Sequence, residues 1–239
     1  MMELVYLEHS GFLLRGTACS VVIDFYHDAV MPDGQECMAR EISTETGNIY
    51  VLASHAHADH FNPKVLEWYR MNPAVRYIFS ADITLSDISA PVHFLRKGEK
   101  WSDGYLTVSA FGSTDVGVSF LLEMEGKKLF HAGDLNNWHW RDESTPAEIR
   151  AASLAFAREL ESLLPFAGEI DVAMFPVDPR LGTDYDLGAR QFVDTIRPRL
   201  FVPMHFWGNY REANAFGTYA ESRGTHFVSL HHPGETVSL

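Results

Sequence analysis

Short runs of apolar, β-branched and aromatic residues, broken by glycine or by polar clusters, recur along most of this chain and predict a strand-rich protein. Glu3–Leu7, Phe12–Leu14 and Val21–Phe25 read as an opening meander that leads into a core strand. Ile49–Ser54, Arg76–Ser80 and Val92–Leu95 follow as further strands, and then Tyr105–Ala110, Gly117–Glu123 and Lys128–His131, separated by turns that contain glycine. Asp171–Phe175 and Leu200–Met204 complete the set. Between the first strands lie residues 27–47, polar and rich in Asp, Glu, Gly and Pro, which predict a long loop of limited structure at the border of a site.

Helices punctuate this pattern. Asn62 is a natural N-cap with Pro63 at the first helical position, and Val65, Leu66 and Tyr69 mark an apolar face. A helical turn is expected over Asp82–Ile88. A longer helix is expected near 146–164, capped by Thr145 and opened by Pro146, with Ile149, Leu154, Phe156, Leu160, Leu163 and Leu164 available to cover a sheet. Tyr185–Ile196 predicts another. Sheet material in both halves needs cover on its outer face, and two sheets packed together with helices outside meet that need. An ordinary doubly wound α/β domain is the alternative, and the short mixed strands count against it.

The length of 239 residues favours one large domain over 1–239, with residues 211–239 completing or flanking its core. No repeat of fixed period is present. A formal charge of -13 repels nucleic acid and anionic membranes unless a basic patch overrides it. Lys97 with Lys100, Lys127 with Lys128, and the Arg190, Arg197, Arg199 series are too short to form a binding arm, so a small-molecule substrate is the expected partner. Cys19 and Cys37 have neither a disulfide framework nor a Cys-x-x-Cys spacing. The first residues lack a basic, signal-like region, and no apolar run approaches the roughly 18 residues of a membrane span, so a cytoplasmic location is expected.

Candidate chemistry concentrates in His55-Ala56-His57-Ala58-Asp59-His60, between a strand and a helix. Three imidazoles and a carboxylate within six residues suit Zn, Mn or Fe, and the intervening alanines leave room for a tight turn around an ion. His205 follows a hydrophobic strand; it is either a buried histidine satisfied by one hydrogen bond or a distant ligand. Asp134 follows Phe130-His131-Ala132-Gly133, where a carboxylate either caps backbone groups or is delivered to a metal by the glycine turn.

Taken together, Asp24 after an early strand, the His55–His60 run, Asp134 in His-Ala-Gly-Asp, and His205 resemble the metallo-β-lactamase superfamily, and within it most closely the ascorbate-phosphate lactonase-like group of metal-dependent hydrolases. The Tyr6–Phe12 start, the Phe130–Asp134 turn and the Pro203–Phe206 segment carry the narrower resemblance, which covers roughly residues 3–210. It implies an α+β fold, a four-layer αββα sandwich with metal along the edge where the sheets meet. One site would use His55 and His57, the other Asp59, His60 and His205, with Asp134 bridging and Asp24 as a supporting acceptor. One or two metal ions follow, Zn foremost, with Mn or Fe as alternatives. The superfamily also makes self-association into a homo-oligomer plausible.

One departure stands out. The family supplies a further histidine between the first motif and the bridging aspartate, and the equivalent stretch here is Gly112-Ser113-Thr114-Asp115, with Ser113 at the histidine position. The first site is therefore weak, empty, or completed by water or another side chain, for which Asp115 and His9 are candidates. His131 faces the site wall in this reading. The Asn136-Asn137-Trp138-His139-Trp140 segment forms either a lid with an aromatic wall or a locally packed pair of indoles. Asp178 and Asp184 read as surface turn residues, with a part in shaping the pocket as the alternative.

The expected function is hydrolysis of a small ester, lactone or phosphate-linked substrate by water activated on a metal. Asp59 would bind metal and orient the water, and His9 or His139 would assist protonation of the leaving group. Two readings compete with it: a phosphodiesterase, favoured if Arg or Lys converges beside the metals, and a metal-binding regulatory protein with reduced catalysis, favoured by Ser113.

Overall fold

The computed structural model describes residues 2–45, 47–86 and 90–239. Its first sheet takes β1 (Glu3–Glu8), β2 (Gly11–Arg15), β3 (Cys19–Ile23), β4 (Asn48–Ala53), β5 (Val75–Ser80) and β6 (Val92–Leu95) in chain order, and adds β14 (Thr236–Ser238) beside β1. The second takes β7 (Lys100–Ser102), β8 (Leu106–Phe111), β9 (Ser119–Met124), β10 (Lys127–His131), β11 (Val172–Pro176), β12 (Leu200–Met204) and β13 (His226–Phe227) in the same manner. Each sheet begins as an antiparallel meander and continues as a parallel array, β3 to β6 in the first and β10 to β13 in the second.

Strand β4 shows how the layers arise. Alternate side chains point to opposite faces of a strand, and here both faces are apolar. Tyr50 and Leu52 enter the core between the sheets, where they join Phe12, Ile23, Phe120, Leu122 and Phe130. Ile49, Val51 and Ala53 point the other way, onto Met38 and Ile42 of α1 (Cys37–Thr44) and Trp68 of α2 (Trp68–Met71). The second sheet is covered by α3 (Pro146–Leu163) and α4 (Leu187–Ile196), where Phe192 stacks on Phe175 at 4.4 Å between ring centroids. The arrangement is the four-layer αββα sandwich and excludes the doubly wound alternative.

The expected caps are present. Asn62 accepts a hydrogen bond from Lys64 N (3.0 Å) and opens a 3₁₀ turn, Pro63–Glu67, that runs into α2. Thr145 and Glu148 form a reciprocal capping box on α3. The 27–47 segment departs from expectation because it contains α1. The N-terminal amide of Met38 donates to the Asp28 carboxylate (2.9 Å), ten residues upstream, so no local cap marks this helix in the sequence. Its buried Glu41 is held by Arg15 Nε (2.8 Å) and Ser20. The turn expected over Asp82–Ile88 ends in residues 87 and 88, outside the described residues, and 82–86 form no helix. Residues 211–239 supply α5 (Tyr210–Ala215, in its greater part), α6 (Gly217–Ser222), β13 and β14, and so add a strand to each sheet. Among the described residues no helix is long and apolar enough to cross a membrane.

Candidate metal centre

Parallel neighbours end side by side, so the residues that follow them meet at one rim of the sandwich. Asp24 follows β3, His55 to His60 follow β4, Asp134 follows β10, Asp178 follows β11 and His205 follows β12. His9 reaches the same place from the β1–β2 turn, and His205 N donates to its carbonyl (3.1 Å), which ties the two sheets together. Gly133 makes the close approach possible: its φ is +53°, and a Cβ there would stand 2.9 Å from Ser54 Oγ and from the Val118 carbonyl.

Around Asp134 the ring nitrogens converge. His60 Nε2 lies 3.0 Å and His205 Nε2 3.3 Å from Asp134 Oδ1, while His55 Nε2 lies 3.4 Å from Oδ2. His9 Nε2 is 3.2 Å from Asp59 Oδ2, itself 3.8 Å from His60 Nε2. Three overlapping donor groups result: His9, Asp59, His60 and His205; His55, His60 and Asp134; and His57, Asp115 and Asp134. Despite these short distances, His60 Nε2, Asp134 Oδ1 and both ring nitrogens of His9 are buried without a well-formed hydrogen bond among the described residues. Buried polar atoms left this way are costly. Cations at the centre would satisfy His60 Nε2, Asp134 Oδ1 and one nitrogen of His9, so the donor set fits one or two metal ions.

The outer contacts fix which nitrogen of each imidazole faces inward. Asp24, fully buried, accepts from Ser54 N (2.7 Å), Ser54 Oγ (2.6 Å) and His60 Nδ1 (2.7 Å). Ser54 thereby spends its single hydroxyl proton on Asp24 and accepts from His55 Nδ1 (3.0 Å). Asp178, also fully buried, accepts from His205 Nδ1 (3.0 Å). All three imidazoles therefore present an Nε2 lone pair to the centre, the arrangement typical of metal-bound histidine.

Electrostatics follow from this packing. Burial alone would lower His60, but the Asp24 and Asp134 carboxylates overcome it and raise its pKa to about 10, so a proton occupies the centre when no cation does. Burial also opposes ionisation of Asp134, yet His205 and His60 beside it hold it far below the carboxylate range. Asp59 is likewise kept ionised by His9 and His60 against its own burial. For His9 burial wins, and its pKa falls to about 4.

Of the residues singled out from sequence, His9, His55, His57, Asp59, His60, Asp134 and His205 fall within these groups, and Asp24 lies directly behind them. Ser113 accepts from Asp115 N (3.3 Å) and shapes the turn that brings Asp115 Oδ2 to 3.8 Å from His57 Nδ1. His131 is a buried brace: Nε2 donates to the Ser10 carbonyl (2.8 Å) and Nδ1 accepts from Gly133 N (3.1 Å). His139 stands outside the donor groups; Nε2 donates to the Asp184 carbonyl (3.1 Å) and Nδ1 accepts from Arg141 N (3.1 Å), which leaves it no nitrogen for proton transfer. A neutral His9 is equally unsuited to donate a proton. Asp178 does open a turn, accepting from Arg180 N (3.0 Å), but it is fully buried against His205, which corrects the surface reading and favours the pocket-shaping one. Its position directly after a parallel strand, as for Asp24, was the available signal.

Beside the centre, a cavity of about 270 Å³ is bounded by Asp134 and His205 at its floor and by Thr114, Asp115, Trp138, Trp140 and Arg180 around it. Trp207, another residue not anticipated, packs on His9 at 4.3 Å between centroids.

A two-sheet sandwich whose strand ends deliver a His-x-His-x-Asp-His cluster to a shared aspartate defines a metallo-β-lactamase-type protein, with a candidate metal-binding centre typical of hydrolases that act on small substrates. The chain belongs to that superfamily: the family described as "Beta-lactamase superfamily domain" matches residues 3–150. Among its relatives is the UPF0173 metal-dependent hydrolase of Symbiobacterium thermophilum, 26% identical over 252 residues and aligned across 100% of both chains. Among solved structures it is similar to Igni18, a metallo hydrolase from Ignicoccus hospitalis (TM-score 0.68, 20% identity, 99% of this chain and 97% of that one). It is also similar to CmlA, a diiron β-hydroxylase from Streptomyces venezuelae (TM-score 0.66, 17% identity, 100% of this chain and 54% of that one). The last two likenesses concern the fold, which hosts more than one chemistry.

Proposed function

We propose that the protein is a metal-dependent hydrolase of a small ester, lactone or phosphate-linked ester, with one or two ions held by His55, His57, Asp59, His60, Asp134 and His205. The observation that carries this reading is the convergence of buried, unsatisfied His60 Nε2 and Asp134 Oδ1 with the Nε2 atoms of His55 and His205. His9 joins the Asp59 side as a neutral imidazole, suited to coordination, and His139 has no part. Asp115, grouped with His57 and Asp134, stands in for the histidine absent at Ser113. The mixed imidazole and carboxylate set suits Zn first, with Mn or Fe as alternatives.

Bound metal in such a centre lowers the pKa of water and polarises the electrophile. The side chains supply the rest. Asp59, ionised and partly exposed, accepts a hydrogen bond from the attacking water and aims it; Asp134 and His205 floor the cavity where the scissile group sits. Trp138 and Trp140 exclude solvent from one side. The basic clusters noted in the sequence are largely neutralised, Lys97 by Glu159, Lys128 by Glu169, Arg190 by Asp186 and Arg199 by Asp171, which supports a small substrate over a nucleic acid. A lactone, as in the ascorbate-phosphate lactonase-like group, is one member of the proposed class.

The test is turnover of a panel of esters, lactones and phosphodiesters before chelation, after it, and after metal is restored. Loss and recovery of activity are expected, with His57→Ala abolishing them. Stoichiometric metal with no turnover across the panel would favour the regulatory reading instead.

A further inference from the structure

We propose that the substrate carries a carboxylate or phosphate remote from the bond that is broken, and that Arg180 receives it. This deepens the hydrolase reading and rests on it. Among the described residues Arg180 is the only lysine or arginine around the cavity, whose other charged walls are Asp115 and Asp134. Its guanidinium is already fixed in place: Asp178 accepts from Nε at 3.0 Å with each carboxylate oxygen and from Nη2 at 2.6 Å. Trp207 supports the same group from below, with the guanidinium carbon 4.9 Å from the ring centroid.

One edge of the guanidinium is thus spent, whereas Nη1 makes no hydrogen bond among the described residues and the side chain remains 44% exposed. A planar guanidinium held with a free donor edge is well suited to a carboxylate or phosphate, because little side-chain freedom is left to lose on binding. Asp178 pairs with one edge only and is shared with His205 Nδ1 at 3.0 Å, so the guanidinium's other edge keeps its donors for a ligand. The protein as a whole is strongly acidic, so an anion is not drawn here by the general field. Trp138 and Trp140 line the same cavity as Arg180, Asp134 and His205, with ring planes 16° apart and centroids 6.4 Å apart. Trp138 is locked by its Nε1 donating to the Asp134 carbonyl (2.8 Å). The site therefore selects a compact molecule with an anion at one end, an apolar or flat body, and the scissile group at the other.

The test uses metal-replete protein and matched aryl esters that carry, away from the ester bond, a carboxylate, a phosphonate or a neutral carboxamide. Wild type should prefer the charged esters. Arg180→Ala should lower kcat/KM for them by roughly 10- to 100-fold, mainly through KM, with Arg180→Lys between the two and the carboxamide ester nearly unchanged. The better of the two anionic arms identifies the natural group. Elemental analysis checks that the variant keeps its metal. Equal losses for charged and neutral esters would show that Arg180 acts only through Asp178 and would overturn the proposal, as would no loss at all. Should no ester turn over, the hydrolase reading fails, and binding still decides this one: quenching of tryptophan fluorescence by benzoate or phenylphosphonate, but not benzamide, should weaken by the same factor in Arg180→Ala, and equal quenching of both proteins would refute it.

Discussion

Replacing Asp24 with asparagine tests the logic of the centre at a residue that touches no metal. The two side chains have nearly the same shape, so the buried position is filled. Their hydrogen-bonding differs: one acceptor oxygen remains for Ser54 N, and the other becomes an amide that must donate. That amide faces His60 Nδ1 and Ser54 Oγ, which lie 2.7 and 2.6 Å from the carboxylate oxygen. To accept from it, His60 must move its proton to Nε2, and Ser54 must turn its hydroxyl proton toward His55 Nδ1, which likewise protonates His55 at Nε2. Both protons then point at Asp134, on the nitrogens that coordination needs. Loss of one outer partner of a metal-bound histidine typically costs about 10- to 100-fold in affinity. Two ligands are compromised here, so the upper end, about 100-fold or about 2.7 kcal/mol, is expected. Competition with a chromophoric chelator measures it directly. Ser54→Ala, which breaks only the link to His55, should lose about tenfold. Asp24→Asn with wild-type metal affinity would refute the account of how the ligands are oriented.

Further outcomes follow from the same geometry. Because His60 in the metal-free protein keeps its proton up to about pH 10, the ion that His60 ligates displaces it, and the apparent affinity for that ion should rise about tenfold per pH unit from 6.5 to 8.5; a flat profile would contradict it. His9 is lowered to about 4, so the unfolded chain takes up a proton at its ordinary pKa of 6.5 while the folded protein does not; metal-free stability should therefore fall by about 3 kcal/mol as pH drops from 6.5 toward 4. His9→Asn, which tolerates the left-handed backbone at φ +57°, should remove that part of the loss in denaturant titrations at pH 7 and 4.5. Asp115→Ala should reduce bound metal toward one ion per chain by elemental analysis, while Asp115→His restores it.

The parts of the molecule legible in the sequence are those whose signals are local. The His55–His60 run, the Thr145 capping box and the β4 strand each declare themselves within a few residues. Helix α1 does not, because its cap is Asp28 and its buried carboxylate Glu41 answers to Arg15 and Ser20 on the sheet. Asp178 is only half visible for a related reason: its place just after a strand hints at the rim, but a lone aspartate in a turn gains its meaning only from His205, which a parallel crossover returns to its side. His9 and His139 invert in the same way. Nothing in their neighbours reveals that one has two unsatisfied nitrogens at the centre and the other has both committed to the backbone.

The pairing of β1 with β14 also governs how this protein must be made. Val5 stands in register with Thr236, so one edge of Leu4-Val5-Tyr6 stays open until a strand roughly 230 residues downstream has been synthesised. At ordinary ribosomal rates that is roughly 10 to 50 seconds. An apolar strand edge left bare for that long is a template for intermolecular pairing, which gives three late residues, Thr236 to Ser238, a protective role against aggregation quite separate from the chemistry at the rim.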